Sequence, residues 1–166
     1  RVYTFEVDMG TPLFKPSQIP IALPESLEQV VDQNIYLSSG EQIKITSVSM
    51  GNPHCSVFVE DFELDWQFLG RELESHKLFP ARTNVEFVRV LDRETLQVKF
   101  WERGVGVTSS SGTGACAAAI SAMLKGLTAE RVRVEMQAGS LTIQRAEDGR
   151  ISFEGPAEIV FEGRWI

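Results

Sequence analysis

The stretch Trp101-Glu102-Arg103-Gly104-Val105-Gly106-Val107-Thr108-Ser109-Ser110-Ser111-Gly112-Thr113-Gly114-Ala115-Cys116 decides the fold. Its first residues end a run with strand character that begins at Thr95. Glycines and small polar residues follow. From Gly112 to Lys125 the pattern turns helical, with Ala115, Ala118, Ala119 and Ala122 on one face and Cys116, Ile120 and Leu124 on another. A helix that is apolar on both faces belongs in an interior, not on a surface.

Outward from this helix the chain reads mostly as strands. Residues 2–9, 43–50, 55–59, 84–91 and 95–101 have strand character, and Asp92-Arg93-Glu94 joins the last two as a hairpin. Gly51-Asn52-Pro53-His54 is a turn by composition. After the helix come four more predicted strands, 132–136, 140–144, 151–154 and 157–161, with Asp148-Gly149 turning between the middle pair. A second helix is predicted over 66–75, capped by Asp65. Residues 11–26 hold Pro12, Pro16, Pro20 and Pro24, which predicts an extended crossing segment. The expected fold is α+β. A mostly antiparallel, curved sheet wraps round the central buried helix, and the second helix lies outside. Residues 1–166 read as one domain without internal repeats.

The net charge of -7 argues against nucleic acid or an anionic membrane surface as partner. No apolar run approaches the roughly 20 residues that span a bilayer. Two cysteines, Cys55 and Cys116, are no disulfide framework and suit a reducing, cytoplasmic compartment. His54 and His76 show no metal-ligand spacing, so no metal is expected. The chain opens at Arg1 directly before a strand, with no signal peptide. The expectation is a piece of a longer protein. Its newly exposed face would favour association of two copies.

The candidate chemistry starts at the helix. The first amides of a helix have no internal partners, and Gly112 and Thr113 leave them approachable. Such a terminus can hold a carboxylate or phosphate, although Ser and Thr also cap helices with no ligand present. Glu102 could accept from an ammonium and Arg103 could grip a carboxylate. Neighbours on a strand point to opposite faces, so a solvated ion pair is the alternative. Asn52 and His54 sit in the turn, where a structural role competes with hydrogen bonding or proton transfer. Asn84, at a strand start, is a third polar candidate. No complete dinucleotide, P-loop or nucleophile-elbow motif is present.

Four blocks, Gly51-Asn52-Pro53-His54, Thr83-Asn84-Val85-Glu86-Phe87, Trp101-Glu102-Arg103-Gly104-Val105-Gly106 and Gly112-Thr113-Gly114-Ala115-Cys116-Ala117, resemble the C-terminal half of diaminopimelate epimerases in order and spacing. The likeness runs from about residue 50 onward; the first 45 residues match loosely. It implies a cofactor-free enzyme of two similar domains, each a sheet round a helix, with the site between them. One Cys from each domain would remove or deliver the α-proton on opposite faces of LL- or meso-diaminopimelate, within lysine biosynthesis. Here the N-terminal half would be missing and the isolated chain inactive. The resemblance puts Gly112 and Thr113 on the α-carboxylate and Asn52, Asn84 and Arg103 on the distal end. It sets Glu102 and His54 beside the reacting centre.

Ser111 stands where the resemblance calls for the second catalytic Cys. Val107 replaces a frequent Glu, and Ser109-Ser110 a commonly apolar-small pair. A Ser hydroxyl is several units less acidic than a thiol, so it is no resting base. Cys116, five residues on, is turned roughly 140° away round the helix and reads as core. Three explanations stay open. Ser111 is an inactivating change, engineered or natural; or it marks a variant branch with another proton route; or the substrate differs, as in similarly folded proline racemase and phenazine-pathway isomerases. A non-catalytic amino-acid-binding or structural domain is the remaining alternative.

Overall fold

The computed structural model describes residues 2–165. The strands are β1 (Val2–Gly10), β2 (Val30–Tyr36), β3 (Gln42–Ser49), β4 (Pro53–Phe58), β5 (Asn84–Val90), β6 (Thr95–Glu102), β7 (Gly106–Thr108), β8 (Arg131–Met136), β9 (Gly139–Arg145) and β10 (Ile151–Glu158). The helices are α1 (Trp66–Glu74) and α2 (Gly112–Leu124). All ten strands join one sheet in the order β1-β10-β9-β8-β6-β5-β4-β3-β2, with β7 paired to β6 off this path.

Among the described residues only two neighbouring pairs are parallel, β4 with β5 and β6 with β8. A parallel pair needs a crossover, and each of the two helices sits in one. α1 connects β4 to β5, and α2 lies between β7 and β8. The helices therefore occupy opposite faces. α2 is buried from Gly114 to Met123 and packs with Val88, Val98, Phe100, Val132, Val134, Ile143 and Ile151. On the other face Trp66 and Leu73 of α1 pack with Val85, Phe87 and Trp101. The central strands are covered on both sides, so β5 reads as a nearly continuous apolar run.

Glycine sets how closely α2 approaches the sheet. A Cβ on Gly114 would lie 2.9 Å from ring atoms of Phe100. Asp65 caps α1 as predicted, its carboxylate accepting from the Phe68 amide at 3.1 Å.

The predicted strand 151–154 and the start of the predicted strand 157–161 are a single strand, β10, which ends at Glu158; residues 159–161 lie outside it. Its first half pairs with β9, through Ile151↔Arg145 to Glu154↔Thr142. Its whole length pairs with β1, from Gly10↔Ile151 to Val2↔Glu158. Pro156 is tolerated because β10 beyond Glu154 has a partner on one side only. Two strands escaped the sequence reading. β2 mixes polar residues into its alternation, and the three-residue β7 is too short to show one. The segment 11–26 contributes to the core. It holds a short 3-10 turn at Pro16–Gln18, and Ile19 and Ile21 are buried beneath the α1 side. No helix among the described residues is long and apolar enough to cross a membrane.

Candidate active site

Three strand ends meet at one end of the sheet. β4 starts at Pro53 and β5 at Asn84, in parallel, with His54 opposite Asn84. β6 runs antiparallel to β5 and ends there at Glu102, with Glu86 opposite Phe100. Alternation puts Asn84, Glu86 and Val88 on the α2 side of β5, and Phe100 and Glu102 on the same side of β6. The first turn of α2 comes down beside them, because Gly114 lies against the Phe100 ring. Sheet and helix thus bring Glu102, two residues past Phe100, toward the helix start.

Hydrogen bonds lock the strand ends together. His54 Nδ1 is 2.6 Å from Glu86 Oε1, and its Nε2 is 2.9 Å from Asn52 Oδ1. Asn84 donates from Nδ2 to the Pro53 carbonyl at 2.9 Å, and its Oδ1 accepts from the Arg103 amide at 3.0 Å. His54 and Glu86 are each about 1% exposed. Burial pushes the Glu86 carboxyl above its ordinary range; His54 opposes that shift and Glu102 adds to it. Glu86 Oε2 is buried without a partner.

Behind the site, Glu74 of α1 fastens the turn that follows Glu102. It accepts from Trp101 Nε1 at 2.7 Å, from the Gly104 amide at 2.8 Å and from Arg82 Nη1 at 3.0 Å. The Arg103 side chain donates to the Ala81 carbonyl at 2.9 Å, so it leans over the loop before β5.

The helix start is the other half of the arrangement. Ser111 is the N-cap of α2, with φ -153° and ψ 123°, and its Oγ accepts from the Gly114 amide at 3.2 Å. The Ala115 amide bonds the Ser111 carbonyl at 2.9 Å. The amides of Gly112 and Thr113 have no carbonyl four residues back within the helix. No acidic side chain sits in this first turn, so the positive end of the helix dipole meets none there. Ser111, Gly112 and Thr113 are all half-buried and reachable.

Asn52, His54, Asn84, Glu102 and the Arg103 backbone therefore gather at one sheet end. Ser111, Gly112 and Thr113 sit at the adjoining helix start. Cys55 and Cys116 are fully buried free thiols. Burial raises the Cys55 thiol and pushes Cys116 up to about 12, so neither is a ready nucleophile. Glu86 and Glu74 were not among the sequence candidates. A carboxylate on the core side of an apolar strand, as in Asn84-Val85-Glu86-Phe87-Val88, is the signal that marks Glu86. Nothing local marks Glu74, because its partners lie on other elements. A cavity of about 380 Å³ lies elsewhere, among Trp66, Lys99, Thr108 and Met136. Among the described residues no group of three or more His, Cys, Asp and Glu gathers to hold a metal.

The diaminopimelate epimerase family model matches residues 46–160. A diaminopimelate epimerase of Desulfitobacterium hafniense is 45% identical over 164 residues, covering 98% of this chain and 57% of the relative. One from Desulforudis audaxviator is 46% identical over 166 residues, covering 98% of this chain and 58% of the relative. The chain thus spans little more than half the length of these relatives. Among solved structures, a hydroxyproline epimerase from Agrobacterium vitis, with trans-4-hydroxy-L-proline bound, superposes with a TM-score of 0.61. It is 13% identical, and the match covers 94% of this chain and 50% of that one, which is a likeness of fold alone. By the family match and the two close relatives, this chain belongs to the diaminopimelate epimerase family.

Proposed function

We propose that this chain is the C-terminal half of a two-domain, cofactor-independent epimerase that interconverts LL- and meso-diaminopimelate by α-proton transfer. The observation that carries the reading is the open start of α2 beside the inward-facing strand ends. Amides of Gly112 and Thr113, aided by the helix dipole, would hold the α-carboxylate and the negative charge that spreads into it as the proton leaves. A base on one half takes the Cα proton, leaving the electron pair on carbon. A donor on the other half protonates the opposite face, so the product differs only in configuration. Glu102 and His54 border that centre, and Arg103, Asn52 and Asn84 face the distal end.

The second half, supplied by the remainder of the protein, would pack on the apolar side chains this chain leaves exposed. Val2, Phe5 and Val7 of β1, with Ile159, Val160 and Phe161 beyond β10, support that placement. A reducing, cytoplasmic compartment fits the two unpaired thiols. The direct test is exchange of the α-proton of diaminopimelate into deuterated water. The chain alone should show none, and the protein completed by its second half should show exchange. Exchange by the isolated chain would sink the half-site reading.

Ser111 favours a second reading. Its Oγ already accepts from the Gly114 amide, and a hydroxyl is a poor base. A domain that binds the amino acid without epimerising it would look the same. Ser111→Cys in the completed protein separates the two: a gain of orders of magnitude marks Ser111 as the lesion. If neither form acts on diaminopimelate, the binding-domain reading or another substrate replaces the first.

A further inference from the structure

Glu86 is a buried titratable group that the proposed chemistry leaves unused. It lies under His54, which lies under Asn52, in one chain of hydrogen bonds of 2.6 and 2.9 Å. The polarity of that chain follows from charge. A carboxylate alone at about 1% exposure, with one oxygen unpartnered, would leave an uncompensated buried charge. Glu102, facing the same side, makes a lone negative charge there worse. Both difficulties ease if Glu86 and His54 together hold one extra proton. That proton sits either on Glu86, which then donates to Nδ1, or on Nδ1, which then donates to the carboxylate.

In both forms His54 Nε2 carries a hydrogen and must donate. Asn52 can meet it only with Oδ1, the atom found 2.9 Å away. Asn52 Nδ2 is thereby turned away from His54. The reversed amide would need an unprotonated Nε2, and with it the isolated buried carboxylate.

We propose that Glu86 is a positioning residue: the proton it shares with His54 fixes the Asn52 amide so that Nδ2 presents donors to a carboxylate at the distal end of the substrate. The inference rests on the epimerase reading for its ligand, but not for the polarity of the chain itself. Asn52 would then favour an acceptor at that end over an ammonium. Asn84 cannot replace it as freely, since its Oδ1 and Nδ2 already bond the Arg103 amide and the Pro53 carbonyl.

The first measurement needs only the unmodified chain. Long-range nitrogen-proton NMR of His54 at neutral pH should show a protonated Nε2. A neutral ring with its proton on Nδ1 alone would overturn the proposal. The second uses the completed protein with LL-diaminopimelate. Glu86→Met removes the shared proton and should raise KM about tenfold, the cost of one hydrogen bond to a charged group, with kcat nearly unchanged. Glu86→Gln, whose amide can still donate to Nδ1, should restore KM. Asn52→Asp, which puts an acceptor where a donor belongs, should raise KM at least as far. An equal loss of kcat and KM effect in both Glu86 variants, or an unchanged KM in the Met variant, would reduce Glu86 to a structural role. If the completed protein ignores diaminopimelate, the epimerase reading fails, while the His54 spectrum still decides the inference.

Discussion

At the scale of single residues, Ser111 caps α2, and the proposed function would ask a second duty of it. As a cap it is well chosen, because a hydroxyl accepts the Gly114 amide at 3.2 Å. As a proton carrier it is poor. Ser111→Cys should therefore lower stability by about 1 kcal/mol, the usual value of a helix cap, as read by chemical denaturation. The same substitution should raise α-proton exchange in the completed protein. Equal stability of the two forms would show that the cap bond contributes nothing. The two cysteines give a second expectation. Cys116 is pushed from 9.0 up to about 12 by burial, and Cys55 is raised as well. A raised thiol favours the fold while the unfolded thiol is still protonated. That contribution is present below about pH 9 and is lost as pH rises toward 12. Native thiols should resist iodoacetamide at mildly alkaline pH and react fully once the chain is unfolded. Rapid native labelling would contradict their placement in the core.

At the scale of elements, α2 depends on close approach. A methyl at Gly114 would meet Phe100 at 2.9 Å, on a ring held in the core. Gly114→Ala should cost about 1–3 kcal/mol through overpacking, despite the better helix propensity of alanine. A rise in melting temperature would show that the ring moves aside freely. The two helices, the Asp65 cap and the Asp92-Arg93-Glu94 hairpin were legible because periodicity and turn chemistry act within a few residues. β7 was not, since the three residues Gly106–Thr108 are too few to carry a period. β10 was read as two strands because Pro156 interrupts it. Only its one-sided pairing with β1 explains why the strand continues.

For the whole molecule, the exposed edge of the sheet is the main feature. Phe5 of β1 is 51% exposed and Phe161 beyond β10 is 83% exposed. Such side chains usually mark a contact surface when they cluster. The isolated chain should self-associate in a concentration-dependent way by sedimentation, and the double variant Phe5→Lys, Val7→Lys should weaken that association. A chain that stays monomeric at all concentrations would argue that this face is no interface.

The sequence by itself determined a buried helix among strands and a helix start opened by Ser111 and Gly112. These rest on local pattern and on residue chemistry, which need no distant partner to be read. The tertiary structure alone decided what the polar residues do with one another. Glu86 lies 32 residues from His54, and Glu74 lies 27 from Trp101. Their pairing depends on which strands become neighbours and in what register. That is settled by burial over the whole sheet, where an unpaired polar group costs more than any local preference can return.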